Sequence, residues 1–268
     1  MRNVSFRLDL IKLRLVLRFD KCKIVFFSIK LQEIVTCSKN RRKYKKFLNG
    51  AEVTDLRTRI QNEIKLPFMT NDDMLALYDL ATYENALFGS SFMNGFFQRK
   101  DDRDLMEFLN DLKYFYKRGF AYEISYRQAT PLLYELYQDM ISMKQGSTLE
   151  SNLYFAHSET VMPLTTLLGI FEQNPWIDAD SYIYAKNRDW RVSSNVPFAG
   201  NFAILVYKNE ENTLVQFAVN EHLVNLPGHF HTVQIEDAIE YFEKLIQVWI
   251  DDDDKCTPNC DDYPVNKL

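Results

Sequence analysis

The pattern of apolar and polar positions changes along the chain from a strand period to a helix period. Between residues 8 and 19, leucine and phenylalanine alternate with lysine and arginine, which is the two-residue period of a half-buried strand. From residue 47 onward the period lengthens. The first helical run places apolar residues at Val53, Leu56, Ile60 and Ile64. These steps of three and four predict an amphipathic helix.

More helices and a few strands follow this first helix. Further helices are predicted over residues 74–88, 104–116, 131–143 and 235–250. The aromatic stretch at residues 152–157 predicts a short strand, and residues 158–171 predict a helix. Residues 201–207 and 213–219 predict a pair of strands joined by a polar turn. Helices dominate and strands are few, so we predict an α/β fold, of a length that suits one large domain or two small ones.

Charge is distributed unevenly along the chain. The net charge is −5, which argues against bulk binding of nucleic acid. Residues 1–50 carry 14 Lys and Arg against 3 Asp and Glu, whereas the remainder carries 18 against 34. A basic N-terminal end attracts polyanions. Its densest run, KNRRKYKK from Lys39 to Lys46, is also typical of a solvated helix face.

Targeting signals and cysteines give few constraints. No apolar stretch reaches 18 residues, so no transmembrane helix is predicted. Lys12, Arg14 and Arg18 interrupt the N-terminal segment, which therefore makes a poor signal peptide. Cys256 and Cys260 flank the turn-forming TPN, which fits a local disulfide in an oxidising compartment. A zinc site is the alternative, but no second cysteine pair accompanies it.

One short segment combines groups suited to phosphate chemistry. His157 stands at the end of the predicted strand, and Glu159 lies in the first turn of the helix that follows. A helix N-terminus presents unpaired N–H groups and the positive end of the dipole, so it binds anions such as phosphate. The imidazole is placed to hydrogen-bond a phosphate oxygen, and a protonated Glu159 to donate to a departing alkoxide. The alternative is structural: a satisfied histidine, and a glutamate that favours the helix dipole.

The residues around this segment resemble a known family. The sequence FAHSETVMPLTTLLGIF resembles the second signature of the histidine acid phosphatases, in the His-Ala-Glu form of the multiple inositol polyphosphate phosphatases, with Ser158 in place of alanine. Residues 109–124, 190–207 and 215–228 resemble further family segments in the same order. RFDKCKIV near residue 20 resembles the start of the family's second half, and the terminal Cys-x-x-x-Cys its end. The chain is therefore identified as a member over residues 18–264.

The resemblance implies a fold and a chemistry. The fold would be a phosphoglycerate-mutase-like α/β core with helical cap segments. The reaction would be phosphomonoester hydrolysis through a phosphohistidine, on inositol polyphosphates such as phytate and on 2,3-bisphosphoglycerate. By position, His157 is the phosphate contact and Glu159 the proton donor. Neither a cofactor nor a metal nor a nucleic-acid partner is expected. The family's compartment is the secretory pathway, the endoplasmic reticulum lumen or the exterior, and Cys256 with Cys260 would form its closing disulfide.

The resemblance also divides the chain. Residues 47–146 would supply helical cap segments and residues 150–250 the α/β core, so that only the C-terminal half of the family's domain is covered. Residues 1–17 match no part of the family and are interpreted as a non-native N-terminus. A domain without its other half would expose strand edges and apolar faces, so we expect association or poor solubility.

The chain departs from the family in its nucleophile. The family's Arg-His-Gly-x-Arg-x-Pro motif supplies the attacking histidine and the phosphate-binding arginines. The four histidines here are His157, His222, His229 and His231, and none follows an arginine. An acid without a nucleophile has no covalent route. We therefore expect the chain, as a truncated product or fragment, to be inactive alone. The alternatives are a pseudo-phosphatase that binds polyanions or a partner, and a helical interaction protein without a phosphate site.

Four smaller features complete the predictions. His229 and His231 either share a strand face that binds a metal or lie in a loop. Lys117 and Arg118 either join a polyanion site or cap a helix C-terminus. The acidic run at residues 251–254 is interpreted as a solvated tail. In the family alignment, Ala81 and Asn94 stand where relatives pair two cysteines, so both partners of one disulfide are absent together.

Overall fold

The secondary structure alternates between helical stretches and short strands. The computed structural model describes residues 5–9, 12–19, 22–29, 40–89, 93–147, 151–208 and 211–250. The strands are β1 Ser5–Asp9, β2 Lys12–Phe19, β3 Cys22–Ile29, β4 Ser151–Phe155, β5 Phe202–Lys208, β6 Thr213–Val219, β7 His222–Val224 and β8 Thr232–Gln234. The helices are α1 Asn40–Leu48, α2 Ala51–Ile64, α3 Asn71–Phe88, α4 Lys100–Arg118, α5 Glu123–Arg127, α6 Thr130–Lys144, α7 Ser158–Leu167, α8 Val192–Asn195 and α9 Ile235–Ile250. The predicted α/β class is confirmed.

The chain forms two compact units, each built from separate segments. The sheet unit comprises residues 1–37, 115–173 and 193–268. The helical unit comprises residues 38–114 and 174–192. In the part of the chain that the structure describes, no helix combines the length and hydrophobicity needed to cross a bilayer.

The sheet unit holds two sheets of four strands. In the first, the order is β1-β2-β3-β4; the neighbours β1, β2 and β3 run antiparallel, and β4 lies parallel to β3. In the second, β5 pairs antiparallel with one edge of β6, while β7 and β8 pair with different parts of β6. The strand predictions at residues 201–207 and 213–219 are therefore confirmed. The single strand predicted over residues 8–19 is instead divided between β1 and β2, which pair antiparallel with each other.

Helices α6, α7 and α9 pack with the second sheet to form the core of this unit. Phe217 on β6 and Phe242 on α9 are fully buried, with ring centroids 6.0 Å apart. The Tyr241 hydroxyl donates to the Leu168 carbonyl at 3.1 Å and so ties α9 to the end of α7. Lys144 of α6 pairs with Glu236 of α9 at 2.8 Å. Burial of these large apolar side chains supplies the main driving force for folding.

Some apolar strand side chains lie outside this core. Leu153 and Phe155 on β4, and Leu205 and Tyr207 on β5, keep between 40% and 52% of their surface exposed. Alternate residues Ile204 and Val206 pack against the core instead. Because neighbouring strand residues point to opposite faces, each strand has one covered face and one bare face. Sheets with parallel strands normally have both faces covered.

An aromatic core and a capping box at the start of α3 stabilise the helical unit. The Thr70 side chain accepts from the Asp73 N–H at 3.1 Å, and Asp73 accepts from the Thr70 N–H at 2.8 Å, which completes a capping box for α3. The rings of Phe47, Phe108 and Tyr182 meet with centroids 4.9 to 5.6 Å apart. The helix predicted over residues 74–88 therefore begins three residues earlier, at Asn71.

Helix α7 is shorter than the sequence predicted. It ends at Leu167, and the expectation of a helix through residue 171 is wrong. Gly169 has a positive φ of +69° and its N–H bonds the Thr166 carbonyl at 2.9 Å. This left-handed glycine ends the helix although the apolar pattern continues.

Replacing Gly169 with alanine is expected to destabilise the protein more than the same change at Gly146. Both glycines have a left-handed φ, where a Cβ costs roughly 1–2 kcal/mol. At Gly169 a Cβ would also lie 2.5 Å from Pro227 Cγ, whereas Gly146 has nothing within 4 Å. Overpacking adds about 1–3 kcal/mol. Thermal denaturation of both variants measures the difference, and equal losses would mean that Pro227 moves aside freely.

Candidate functional site

The strand–helix junction predicted from the sequence is present in the sheet unit. Strand β4 ends at Phe155, and α7 begins at Ser158 with His157 as its N-cap in an extended conformation. The His157 carbonyl accepts from the Thr160 N–H at 2.9 Å. Its imidazole makes no capping hydrogen bond and is exposed. The ring is therefore accessible from solvent at the positive end of a ten-residue helix.

Glu159 is half-buried in the first turn of α7. The Ser158 hydroxyl donates to Glu159 Oε2 at 3.2 Å. The pKa of Glu159 lies below its usual range, chiefly because its carboxylate accepts from its own backbone N–H, with help from Ser158 and from the charges of Arg118 and His157. Partial burial acts in the opposite direction. Without a ligand, Glu159 is therefore ionised at neutral pH.

Arg118 connects a distant part of the sequence to this junction. It is the last residue of α4, only 4% of its surface is exposed, and one of its guanidinium nitrogens donates to the Lys117 carbonyl at 3.3 Å. Its charge lowers the pKa of Glu159, so the cation lies within electrostatic range of the carboxylate. Lys117, by contrast, is exposed. Of the two basic residues considered from the sequence, Arg118 is the one brought to the junction.

The junction is therefore suited to binding an anion, provided that the negative charge of Glu159 is neutralised. An imidazole, helix N–H groups and the Arg118 guanidinium attract a phosphate group. The Glu159 carboxylate repels it as long as it is ionised. A bound phosphate dianion would raise the pKa of Glu159, because a nearby like charge disfavours the ionised form. Binding of phosphate and uptake of a proton by Glu159 would thus be coupled.

A second polar cluster in the sheet unit fixes the segment between α8 and β5. The Asn220 side chain donates to the Ser194 carbonyl at 2.9 Å and to the Asn195 carbonyl at 3.2 Å, and it accepts from the Asn201 N–H at 3.0 Å. Asn201 in turn donates to Glu221 at 2.7 Å. Asn220 and Glu221 both have positive φ. The sequence motifs around residues 194–201 and 220–221 are therefore held together by side-chain hydrogen bonds.

In the helical unit, sequence reasoning missed a buried network of charges. The Asp111 carboxylate, wholly buried, accepts from Arg188 Nε at 2.6 Å and from the Val192 N–H at 2.7 Å. Arg188 and Arg191 both donate to Glu107, at 3.1 and 2.6 Å. Burial raises the pKa of Asp111 to about 6, although Arg188 acts to lower it. The available signal was an aspartate at apolar helical spacing, three residues after Phe108 and one before Leu112.

The remaining sequence predictions fare differently. His229 and His231 lie in the turn before β8 and not on a strand face, and the His229 ring packs against Tyr241 at 5.5 Å. No cluster of three or more metal-ligating side chains occurs among the described residues. Ala81 is buried in α3. Cys256, Cys260 and the acidic run at residues 251–254 lie outside the described residues.

Comparison with known sequences identifies relatives of part of the chain. Residues 31–220 match the family described as the histidine phosphatase superfamily, branch 2. Human multiple inositol polyphosphate phosphatase 1 is 32% identical over 160 residues, which cover 55% of this chain and 33% of the human protein. An acid phosphatase of Schizosaccharomyces pombe is 28% identical over 160 residues, covering 59% of this chain and 35% of its own. The chain thus spans about a third of the length of these curated relatives.

Solved structures show the same fold. A phytase from D. castellii superposes with a TM-score of 0.65 at 15% identity, over 77% of this chain and 45% of the phytase. The multiple inositol polyphosphate phosphatase of Bifidobacterium longum, in complex with inositol hexasulfate, superposes with a TM-score of 0.61 at 18% identity, over 77% of this chain and 55% of that protein. At these identities the likeness concerns the fold.

Proposed function

The chain belongs to the histidine phosphatase superfamily, branch 2, and from that membership we propose that residues 157–159 bind the phosphate groups of inositol polyphosphates. Phytate is the foremost ligand, and 2,3-bisphosphoglycerate a second. His157 contacts the phosphate and Glu159 is the proton donor. The observation that carries the proposal is the β4–α7 junction, where an exposed imidazole and the charge of Arg118 flank Glu159. The names of the relatives and the inositol hexasulfate bound to one of them support the choice of ligand.

The proposed reaction needs a proton on Glu159 at the moment of bond cleavage. The arriving phosphate dianion supplies the condition, since it raises the pKa of the neighbouring carboxyl. As the P–O bond breaks, the proton passes to the ester oxygen, which leaves as the inositol alcohol. The phosphoryl group requires a nucleophile in line on its other side. By the family resemblance, this nucleophile would be the histidine of an Arg-His-Gly tripeptide. That tripeptide does not occur in these 268 residues.

We therefore propose that this chain by itself binds phytate but releases no phosphate. A family resemblance also underlies two further parts of the proposal, a secretory compartment and a disulfide between Cys256 and Cys260. The second candidate function is a pseudo-phosphatase that holds polyanions or a partner. The basic balance of residues 1–50 favours it, because 14 Lys and Arg stand there against 3 Asp and Glu.

Phytate binding and phosphate release by the purified chain test the proposal. We expect saturable binding by calorimetry, no phosphate release at acidic or neutral pH, and a rise in the pKa of Glu159 when carboxyl resonances are titrated with phytate present. His157→Ala removes a charge-assisted hydrogen bond and should weaken binding about tenfold or more. His222→Ala, an exposed histidine on β7, is the matched control.

Two outcomes would contradict the proposal. Phosphate release that disappears in Glu159→Gln would mean that another residue of the chain serves as nucleophile. Binding that is insensitive to His157→Ala, and that leaves the carboxyl of Glu159 unchanged, would place the polyanion elsewhere. If such binding weakened steeply with salt, the basic pseudo-phosphatase would be favoured.

A further inference from the structure

A carboxylate of the chain itself occupies the first turn of α7. The Thr160 and Val161 N–H groups donate to the His157 carbonyl at 2.9 and 3.4 Å. The Glu159 N–H is used as well, because it donates to the carboxylate of its own side chain. A helix start has only four N–H groups that lack a partner further along the helix. The Glu159 carboxylate therefore takes up part of the position at which a phosphate group would bind.

The Ser158 hydroxyl is a second donor to this carboxylate. Ser158 is the first residue of α7, and its hydroxyl donates to Glu159 Oε2 at 3.2 Å. A hydrogen bond to the charged form of a carboxyl stabilises that form over the protonated one. The Ser158 side chain is exposed, so its net contribution is that of an ordinary hydrogen bond in contact with water.

Two other side chains of the described chain act on the same carboxyl. They are Arg118, at the end of α4, and His157, the N-cap of α7, and the charge of each favours the ionised form. Replacing either one would also remove a cation or a donor that attracts the incoming anion. Ser158 carries no charge, so its replacement tests the state of Glu159 without changing the electrostatic attraction.

We propose that Ser158 is a positioning residue, whose hydroxyl keeps the ionised Glu159 carboxylate at the start of α7 and so makes anion binding there require a more acidic solution. The inference rests on the proposed function, in which an inositol polyphosphate binds at this junction. The ionised carboxylate competes with the incoming anion for the N–H groups of the helix and repels its charge. The Ser158 hydroxyl stabilises this competing form. It therefore weakens binding near neutral pH and has no effect once Glu159 is protonated.

Titration of Glu159 in the ligand-free full chain is the first measurement. The carboxyl carbons of protein labelled at glutamate are followed by NMR from acidic to neutral pH, and Glu159→Gln assigns the signal. We expect the pKa of Glu159 to rise in Ser158→Ala and to stay at its wild-type value in Ser158→Thr, which keeps a hydroxyl. The matched control is Ser194→Ala, since this exposed serine also donates to the side chain of the next residue, Asn195, at 3.3 Å. It should leave the titration of Glu159 unchanged.

Binding of inositol hexasulfate, measured by calorimetry, is the second measurement. The sulfate groups stay ionised over this pH range, so the pH dependence of binding comes from the protein. Near neutral pH, Ser158→Ala should bind this probe about twofold to tenfold more tightly than the wild type, which corresponds to one net hydrogen bond. At a pH that protonates Glu159 in both proteins, the two affinities should be equal. Protonation of His157 also favours binding in acid, but it does so in both proteins.

Three outcomes would count against the inference, and they are distinguishable. An unchanged titration of Glu159 in Ser158→Ala would overturn it, whatever the binding. Weaker binding by Ser158→Ala at every pH would also overturn it, because the hydroxyl would then contact the anion itself. If the wild type binds no inositol hexasulfate at any pH, the proposed function fails and the effect of Ser158 on binding fails with it. The titration would then still decide whether Ser158 holds Glu159 in its ionised form.

Discussion

Replacing Arg188 with methionine is expected to lower the free energy of unfolding by about 3–5 kcal/mol, the cost of leaving one partner of a buried ion pair alone. Arg188 is 4% exposed at its side chain and Asp111 is 0% exposed. Methionine keeps an unbranched apolar stem but lacks the guanidinium, whose Cζ lies 5.3 Å from the centroid of the Phe108 ring, so part of the loss comes from this contact. Urea denaturation at constant pH measures the loss.

The loss in this variant should depend on pH. Burial already raises the pKa of Asp111 from 3.8 to about 6, so the folded state binds this proton more tightly than the unfolded state. The stability due to such an acid is full below pH 3.8 and is lost as the pH rises through about 6. The Arg188 cation acts to lower the pKa of Asp111. Its removal therefore raises this pKa further, so the loss of stability continues to a higher pH. We therefore expect a larger deficit at pH 8 than at pH 5.

Two further variants make the ion-pair prediction specific. Arg188→Met combined with Asp111→Asn should recover much of the lost stability, because the amide keeps an acceptor for the Val192 N–H and carries no charge. Lys46→Met breaks the exposed pair with Asp180, and we expect no measurable loss. A single variant Arg188→Met as stable as the wild type would show that the network contributes nothing to folding.

Glu159→Gln is expected to reduce turnover by about 10²–10⁴-fold in a protein that contains both a nucleophile and this junction. Such a protein can be made by fusing a segment that carries the family's Arg-His-Gly-x-Arg-x-Pro motif ahead of residues 18–264, which keep β3 beside β4. Steady-state phosphate release from phytate is the measurement. Glu243→Gln, an exposed glutamate on α9, serves as the control.

The leaving group distinguishes a proton donor from a structural residue. The inositol oxygen of phytate leaves as an alkoxide that needs a proton, whereas the p-nitrophenolate released from p-nitrophenyl phosphate is stable without one. The loss in Glu159→Gln should therefore be much smaller with p-nitrophenyl phosphate. Equal losses with both substrates, or an active fusion that is indifferent to Glu159→Gln, would remove Glu159 from the role of acid.

The sequence predicted what depends on neighbouring residues. Periodicity located α2 and most of α3, and the order strand, His157, Glu159, helix was visible from local signals. Helix α7 ended early because Gly169 adopts a left-handed conformation, which apolar periodicity does not register. The end of α7 therefore depends on the conformation of one glycine and not on the apolar pattern of its neighbours.

Contacts between distant residues could not be predicted in the same way. Asp111 and Arg188 are 77 positions apart, and the residues around each one do not indicate that the other is its partner. Arg118 was recognised as a basic residue at a helix end, but its electrostatic effect on Glu159 depends on the tertiary fold.

The order in which the core segments are synthesised has a consequence for the nascent chain. Leu168 at the end of α7 belongs to the same core as Phe242 on α9. About 70 residues separate them along the chain. Since ribosomes add roughly 5–20 residues per second, the apolar surfaces of α6 and α7 remain uncovered for about 4–14 s before α9 is synthesised. Synonymous codons that slow translation between residues 170 and 240 would prolong that interval and increase the need for chaperones.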